Sequence, residues 1–189
     1  MSAIFLGHAD LVSVRQDHIS PLLELARRSP LRRARYCFHA DHASRVHEML
    51  IAFCGDSFVS PHRHEDKVES FHLVQGELAV VFFADDGTPT GRLDMGPAAS
   101  GKPFYYRLNR MLWHTVVPLA EIVVLHETTS GPFSPGGTEY APWGPAESDE
   151  TGCRIFTKRA LAAPPIFPFP APELLAETAA AAPAEPRRR

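Results

Sequence analysis

Gly55-Asp56-Ser57-Phe58-Val59-Ser60-Pro61-His62-Arg63-His64-Glu65-Asp66-Lys67-Val68-Glu69-Ser70-Phe71-His72-Leu73-Val74-Gln75-Gly76 is the most informative stretch of this 189-residue chain. Glu69, Phe71 and Leu73 recur with a period of two, which predicts a strand whose inward face carries all three. Residues two apart on a strand point to one side, so His62 and His64 present two imidazoles together. A hairpin between the two runs sets the Glu69 carboxylate opposite that pair. A third imidazole is available at His114, in the later apolar run Leu112-Trp113-His114-Thr115-Val116-Val117. Three neutral nitrogens and a carboxylate suit one divalent ion of Fe, Mn, Ni, Co or Zn, and leave positions open on a six-coordinate metal.

Outward from this stretch the chain reads as short strands. Met49, Ile51 and Phe53 alternate with Leu50, Ala52 and Cys54, and similar runs follow at Phe71 to Val74, Leu78 to Phe83, Phe104 to Leu108, His114 to Val117 and Ile122 to His126. Ala84-Asp85-Asp86-Gly87 carries an Asp-Gly pair that tolerates positive φ and predicts a tight antiparallel hairpin. Before the strands, Ser20 to Arg28 reads as one short helix, capped by Ser20, with Pro21 in its first turn and Pro30 after its end. Many short strands with close turn signals and one N-terminal helix predict an all-β domain, a small antiparallel β-barrel. The expected organisation is a helical segment at 1–34, the barrel at 35–160 and a disordered Ala- and Pro-rich tail at 161–189, where few large side chains remain to bury.

Twenty-two acids against nineteen bases leave a net charge of −3, which argues against a protein built to coat nucleic acid or an anionic membrane. The three cysteines form no C-x-x-C pair, so neither a disulfide framework nor a cysteine zinc site is predicted, and a reducing compartment fits. With no signal-peptide core and no membrane-length apolar run, a soluble cytoplasmic protein is expected. No phosphate-binding glycine loop, nucleophile elbow or dinucleotide fingerprint is present.

The His62-x-His64-x4-Glu69-x6-Gly76 spacing resembles the first metal motif of the cupin superfamily, with His114 matching the histidine of the second. Ser29-Pro30-Leu31-Arg32-Arg33-Ala34-Arg35, Pro61 to His64, Lys67 to Ser70, Trp113-His114-Thr115, Gly131-Pro132-Phe133 and Ala141-Pro142-Trp143 together are similar to the WbuC-type cupin metalloproteins. The resemblance implies a cupin (jelly-roll) barrel holding a metal, from a bacterial family associated with surface polysaccharide (O-antigen) gene clusters. Where cupins usually place Pro and Gly before the last histidine, this chain has Asn109-Arg110-Met111-Leu112, so that turn must use Asn109 or avoid positive φ.

These readings make His62, His64, Glu69 and His114 the metal ligands. Arg63, Lys67, Tyr106 and His126 are the candidates for substrate contact. Alternation turns either Tyr106 or Tyr105 with Arg107 inward, and spacing leaves the two sets open. His126 shares the parity of Ile122 and Val124. His72, of opposite parity to Glu69, is expected outside; with His126 and Glu127 it completes the groups available for proton transfer. His39, His42 and His47 are expected on the surface, and Trp113 and Trp143 as packing. The arginine run 27–35 is expected as a solvated helix end, with recognition of phosphate or carboxylate as the alternative. The expected function is a metal-dependent enzyme acting on a small polar substrate such as a carbohydrate or sugar nucleotide, the substrate class following from the resemblance alone. A non-catalytic binding or sensor protein, and a metal-independent sugar epimerase-like cupin with a histidine base, are the alternatives. A homodimer is expected because unpaired sheet edges invite another chain.

Overall fold

The structure is a computed structural model; it describes residues 2–7, 9–134 and 136–166. The tail expected from 161 onward therefore lies, from Phe167 on, outside the described residues. Among the described residues eleven strands and two α-helices follow one another as β1 (Ser2–Phe5), α1 (Gln16–Arg28), β2 (Arg33–Cys37), β3 (Val46–Cys54), β4 (His62–His64), β5 (Glu69–Gln75), β6 (Leu78–Phe83), β7 (Pro89–Met95), β8 (Tyr105–Leu108), β9 (Trp113–Pro118), β10 (Ile122–Ser130), β11 (Thr138–Tyr140) and α2 (Glu150–Ala160). They form a six-stranded sheet, β1-β2-β3-β10-β5-β8, and a five-stranded sheet, β11-β4-β9-β6-β7. Apart from the parallel β1–β2 pair, every strand pairing is antiparallel.

The mostly-β architecture agrees with the sequence, but the closed barrel does not appear. Among the described residues no strand pairing joins the two sheets. They face each other across a core of Met49, Ile51, Phe53, Leu73, Val80 and Leu125, among others, and remain an open sandwich. Each sheet is also covered on its outer face. Ile19, Leu22 and Ala26 of α1 pack on Leu50, Ala52, Cys54 and Val124, while Phe156 and Ala160 of α2 pack with Val81, Phe83, Trp113 and Val117. This explains why β3 is apolar on both parities: one face meets the opposite sheet and the other meets α1.

Helix α1 starts a turn earlier than the Ser20 cap implies. His18 Nδ1 accepts the Arg15 backbone N–H at 2.9 Å and Arg15 pairs with Asp17, so the terminus forms at Arg15, and Pro21 lies inside the helix. Helix α2 was not expected at all, although Asp149 accepts the Gly152 N–H at 2.9 Å as its cap and Cys153, Phe156 and Ala160 share one face. Gly87 turns the β6–β7 hairpin with φ of 82°, as its sequence predicts. Gly76 needs its freedom more: φ is 80°, and a Cβ there would stand 2.2 Å from the Ile122 carbonyl oxygen. All three cysteines are free and buried. No described helix is long and apolar enough to cross a membrane.

Leu22 is fully buried in the α1 interface. Leu22→Ala is expected to lower unfolding stability by about 2–5 kcal/mol in chemical denaturation; a loss below about 1 kcal/mol would contradict this packing.

Candidate metal centre

The centre is assembled from both sheets. In the five-stranded sheet β4 runs antiparallel to β9 with His62 directly opposite His114, while β11 lies on the other side of β4 with Thr138 opposite His64. Strand alternation puts His62 and His64 on one face, and the pairing adds His114 to it. The ring centroids of His62 lie 4.9 Å from His64 and 4.5 Å from His114. One nitrogen of each ring lies within 4.8 Å of the other two. Between β4 and β5 the chain reverses through Asp66 at φ of 52°, a conformation that a short polar side chain tolerates. That reversal carries Glu69 into the six-stranded sheet and returns its carboxylate toward the imidazoles. Oε1 stands 3.1 Å from His114 Nε2 and Oε2 3.5 Å from His64 Nε2.

The hydrogen bonds decide which nitrogens are free. His62 Nδ1 bonds the Ser60 carbonyl at 2.8 Å and His114 Nδ1 the Leu112 carbonyl at 2.9 Å. A carbonyl oxygen only accepts, so both Nδ1 atoms carry hydrogen and, in the neutral ring, both Nε2 atoms present lone pairs. His64 Nδ1 meets the Thr138 hydroxyl at 3.1 Å. A ring anchored through one nitrogen with the other turned to a common point is the arrangement of a metal-ligating histidine.

His114 Nε2 is buried without an assigned hydrogen-bond partner, although Glu69 Oε1 is only 3.1 Å away. A lone pair facing a carboxylate oxygen at that range repels it unless positive charge intervenes. In the metal-free protein a proton on His114, which Glu69 favours, supplies that charge; a shared divalent ion supplies it as well, and a histidine–carboxylate set is chemistry that such ions favour. The residues present therefore fit a metal.

Without an ion the electrostatics divide the site. Burial favours the neutral form of Glu69, but the imidazoles of His114 and His64 override it and hold the carboxyl well below its ordinary range. His114 is raised: burial opposes its charge, and Glu69 outweighs burial. His62 is pushed down to about 3 by burial and by His114 beside it. The centre thus offers an ionised carboxylate and a neutral His62 at neutral pH. Tyr106 donates to Glu69 Oε1 at 3.3 Å, and burial together with that carboxylate raises its phenol.

The other expected positions separate. Tyr106, and not Tyr105 with Arg107, is the inward residue of β8. Lys67 is half-buried, its ammonium 5.5 Å from the centre of the Phe133 ring. Arg63 is turned away from the centre: alternation sends it to the opposite face, where it lies 4.2 Å over Trp113 and pairs with Glu139 at 2.7 Å and Asp85 at 3.5 Å. His126 also lies outside, stacked on Phe38 at 6.2 Å and 3.8 Å from Glu48 Oε1. It does share parity with Ile122 and Val124, but those two face α1, and Glu127 is the neighbour that points between the sheets. His39 and His47 are buried, not surface residues, and stack at 4.1 Å. The turn before His114 avoids positive φ at Asn109. Thr138 was not foreseen; only pairing between β4 and β11 brings it to His64. A cavity of about 940 Å³ lies elsewhere, between α2 and the segments around Arg32 and Phe58, and none of the four centre residues lines it.

A family model described as a domain of unknown function (DUF6016) matches residues 14–95, and so includes His62, His64 and Glu69 but stops before His114. No curated protein matches. Among solved structures, an oxalate oxidase in complex with the substrate analogue glycolate is similar at 14% identity over 72% of this chain and 76% of its own, with a TM-score of 0.46. Protein SO0799 from Shewanella oneidensis is similar at 12% identity over 52% of this chain and 63% of its own, with a TM-score of 0.44. An oxalate decarboxylase from Bacillus subtilis, whose Mn(II) centers its description names, is similar at 14% identity over 51% and 24%, with a TM-score of 0.40. The chain spans less than two thirds of the first structures it matches, 63% of SO0799 and 23% of a procruciferin from Brassica napus.

In the metal-free protein His62 stays neutral in the fold down to about pH 3, whereas the unfolded imidazole takes a proton near its ordinary 6.5. Between those values the unfolded chain binds more protons, so this residue makes stability fall as pH drops from 6.5 toward 3. His114 acts the other way: its contribution is complete below 6.5 and fades as pH rises through its folded value. Removing His62 therefore leaves a shallower acid slope. His62→Gln, freed of metal, is expected to lose less Tm than the wild type on acidification from about pH 6 to 4; parallel slopes would contradict a buried neutral His62.

Proposed function

We propose that this chain is a metal-binding cupin protein of the WbuC type, in which His62, His64, Glu69 and His114 hold one divalent ion. We further propose that it is a metal-dependent enzyme acting on a small polar substrate. The observation that carries the reading is the convergence of the imidazole nitrogens left free by their Nδ1 hydrogen bonds, with His114 Nε2 unpartnered 3.1 Å from Glu69. Fe, Mn, Ni, Co and Zn all accept this donor set. A carbohydrate or sugar-nucleotide intermediate of O-antigen metabolism is the proposed substrate class, and it rests on the motif resemblance.

When bound, the ion supplies Lewis acidity toward a carbonyl or hydroxyl oxygen of the substrate. The chain's own groups set up the rest. Tyr106 keeps its proton and orients the Glu69 carboxylate by donating to Oε1. Glu127 points between the sheets beside Phe71, and burial, reinforced by Glu69, pushes its carboxyl up to about 7. A carboxyl near that value holds or releases a proton at neutral pH, which suits proton exchange with a substrate in the inter-sheet space.

Elemental analysis tests the centre. The wild type is expected to carry roughly one divalent ion per chain. His62→Ala and Glu69→Ala should lose most of it, and His126→Ala, on the outer face, should retain it. Full metal content in both of the first two variants would remove the proposal. For catalysis, metal-loaded protein incubated with sugar-nucleotide pools and followed by mass spectrometry should give product, and Glu127→Gln should slow it by about 100-fold or more at unchanged metal content. Binding without product would make the chain a sensor.

A further inference from the structure

Five arginines lie between residues 27 and 35, and four are matched by carboxylates: Arg27 and Arg28 by Glu24, Arg32 by Asp56 and Arg33 by Glu147. Arg35 is not. On β2 it stands opposite Ile51 and shares the parity of Arg33 and Cys37, so its side chain enters the space between the sheets, while Ala34 and Tyr36 face α1. The residue is half-buried: Nη1 meets the Met49 sulfur at 3.6 Å, and Nε is buried without a partner. Glu127, two strands away on the same inner face, is near enough for Arg35 and Lys67 to oppose the rise of its carboxyl, but it forms no ion pair with either. Lys67 is a second cation within electrostatic reach of the same Glu127. It is half-buried over the Phe133 ring, with no ion pair among the described residues.

A guanidinium cannot shed its charge, and a buried N–H of such an ion left without a hydrogen-bond acceptor is costly. The same side chain offers paired donors that match the oxygens of a carboxylate or phosphate. We propose that Arg35, supported by Lys67, binds an oxyanion of the ligand, a carboxylate or phosphate group, in the inter-sheet space on the β2 side of the metal centre. This deepens the metal-centre proposal and rests on it for the position of the ligand's other end. It also gives the arginine run a specific content: one member of the five faces the ligand, and the other four are held by the fold.

The test titrates wild type, Arg35→Gln and Arg35→Lys by calorimetry with succinate, inorganic phosphate and neutral succinamide, each protein both manganese-loaded and metal-free. The wild type is expected to bind at least one of the two anions and not succinamide; the anion it prefers identifies the group as carboxylate or phosphate. Arg35→Gln should bind that anion about 10-fold or more weakly, Arg35→Lys should fall between them, and manganese content should be equal in all three. Equal affinity in wild type and Arg35→Gln, or no anion binding by the wild type in either state, overturns the proposal. A wild type that takes up none of Fe, Mn, Ni, Co or Zn but binds the anion through Arg35 overturns the metal centre and leaves the Arg35 assignment standing. Circular dichroism checks that the variants fold, and if Arg35→Gln does not, the comparison with Arg35→Lys decides.

Discussion

Anchoring at Nδ1 is the constraint on which the centre depends. His62 and His114 give that hydrogen to backbone carbonyls of Ser60 and Leu112, each two residues before the histidine itself. The anchor is therefore local to each strand, and ring orientation follows from backbone path and not from distant packing. With His62 opposite His114 in the β4–β9 register, two rings anchored in the same way turn their second nitrogens into the same space. His64 joins them by alternation, held by Thr138 from β11.

Glu69 comes from the other sheet, and this makes the centre a property of the sandwich and not of one strand pair. The imidazoles lie on the five-stranded sheet and the carboxylate on the six-stranded one. Their approach to 3.1 Å requires the two inner faces to be packed at a fixed separation, which the shared core of Met49, Phe71, Val80 and Leu125 provides. Covering both outer faces with helices stiffens that arrangement, because neither sheet can move without uncovering apolar surface. Polar groups then collect where the core gives way to the centre: Glu69, Tyr106 and Glu127 lie on neighbouring strands of one inner face.

The strands and the four convergent side chains were legible in the sequence because a period of two fixes sidedness within a strand, and Glu69 shares its parity with Phe71 and Leu73. Sidedness does not say which face is the interior when both are buried. His126 shows this: its parity companions Ile122 and Val124 are apolar because α1 covers them, so the apolar face of β10 that carries His126 is not the inter-sheet face. Arg63 neighbours His62 and His64 in sequence, yet adjacency along a strand means opposite faces, and it lies over Trp113. Thr138 depends on a pairing across 74 residues that no local pattern encodes. Helix α2 does carry its signals, Asp149 and the spacing of Cys153, Phe156 and Ala160, within a stretch expected as part of the barrel. Whether strands close into a barrel or stop as two sheets depends on edge pairing, and single-strand patterns carry no information about it.

Anomalous diffraction from crystals of the metal-loaded protein, collected at the absorption edge of the ion it carries, addresses the convergence of these side chains most directly. One peak is expected, about 2.0–2.2 Å from Nε2 of His62, His64 and His114 and from a Glu69 oxygen. A peak bound through Nδ1, one that leaves His114 outside the coordination shell, or an ion found only at another place on the molecule would contradict it.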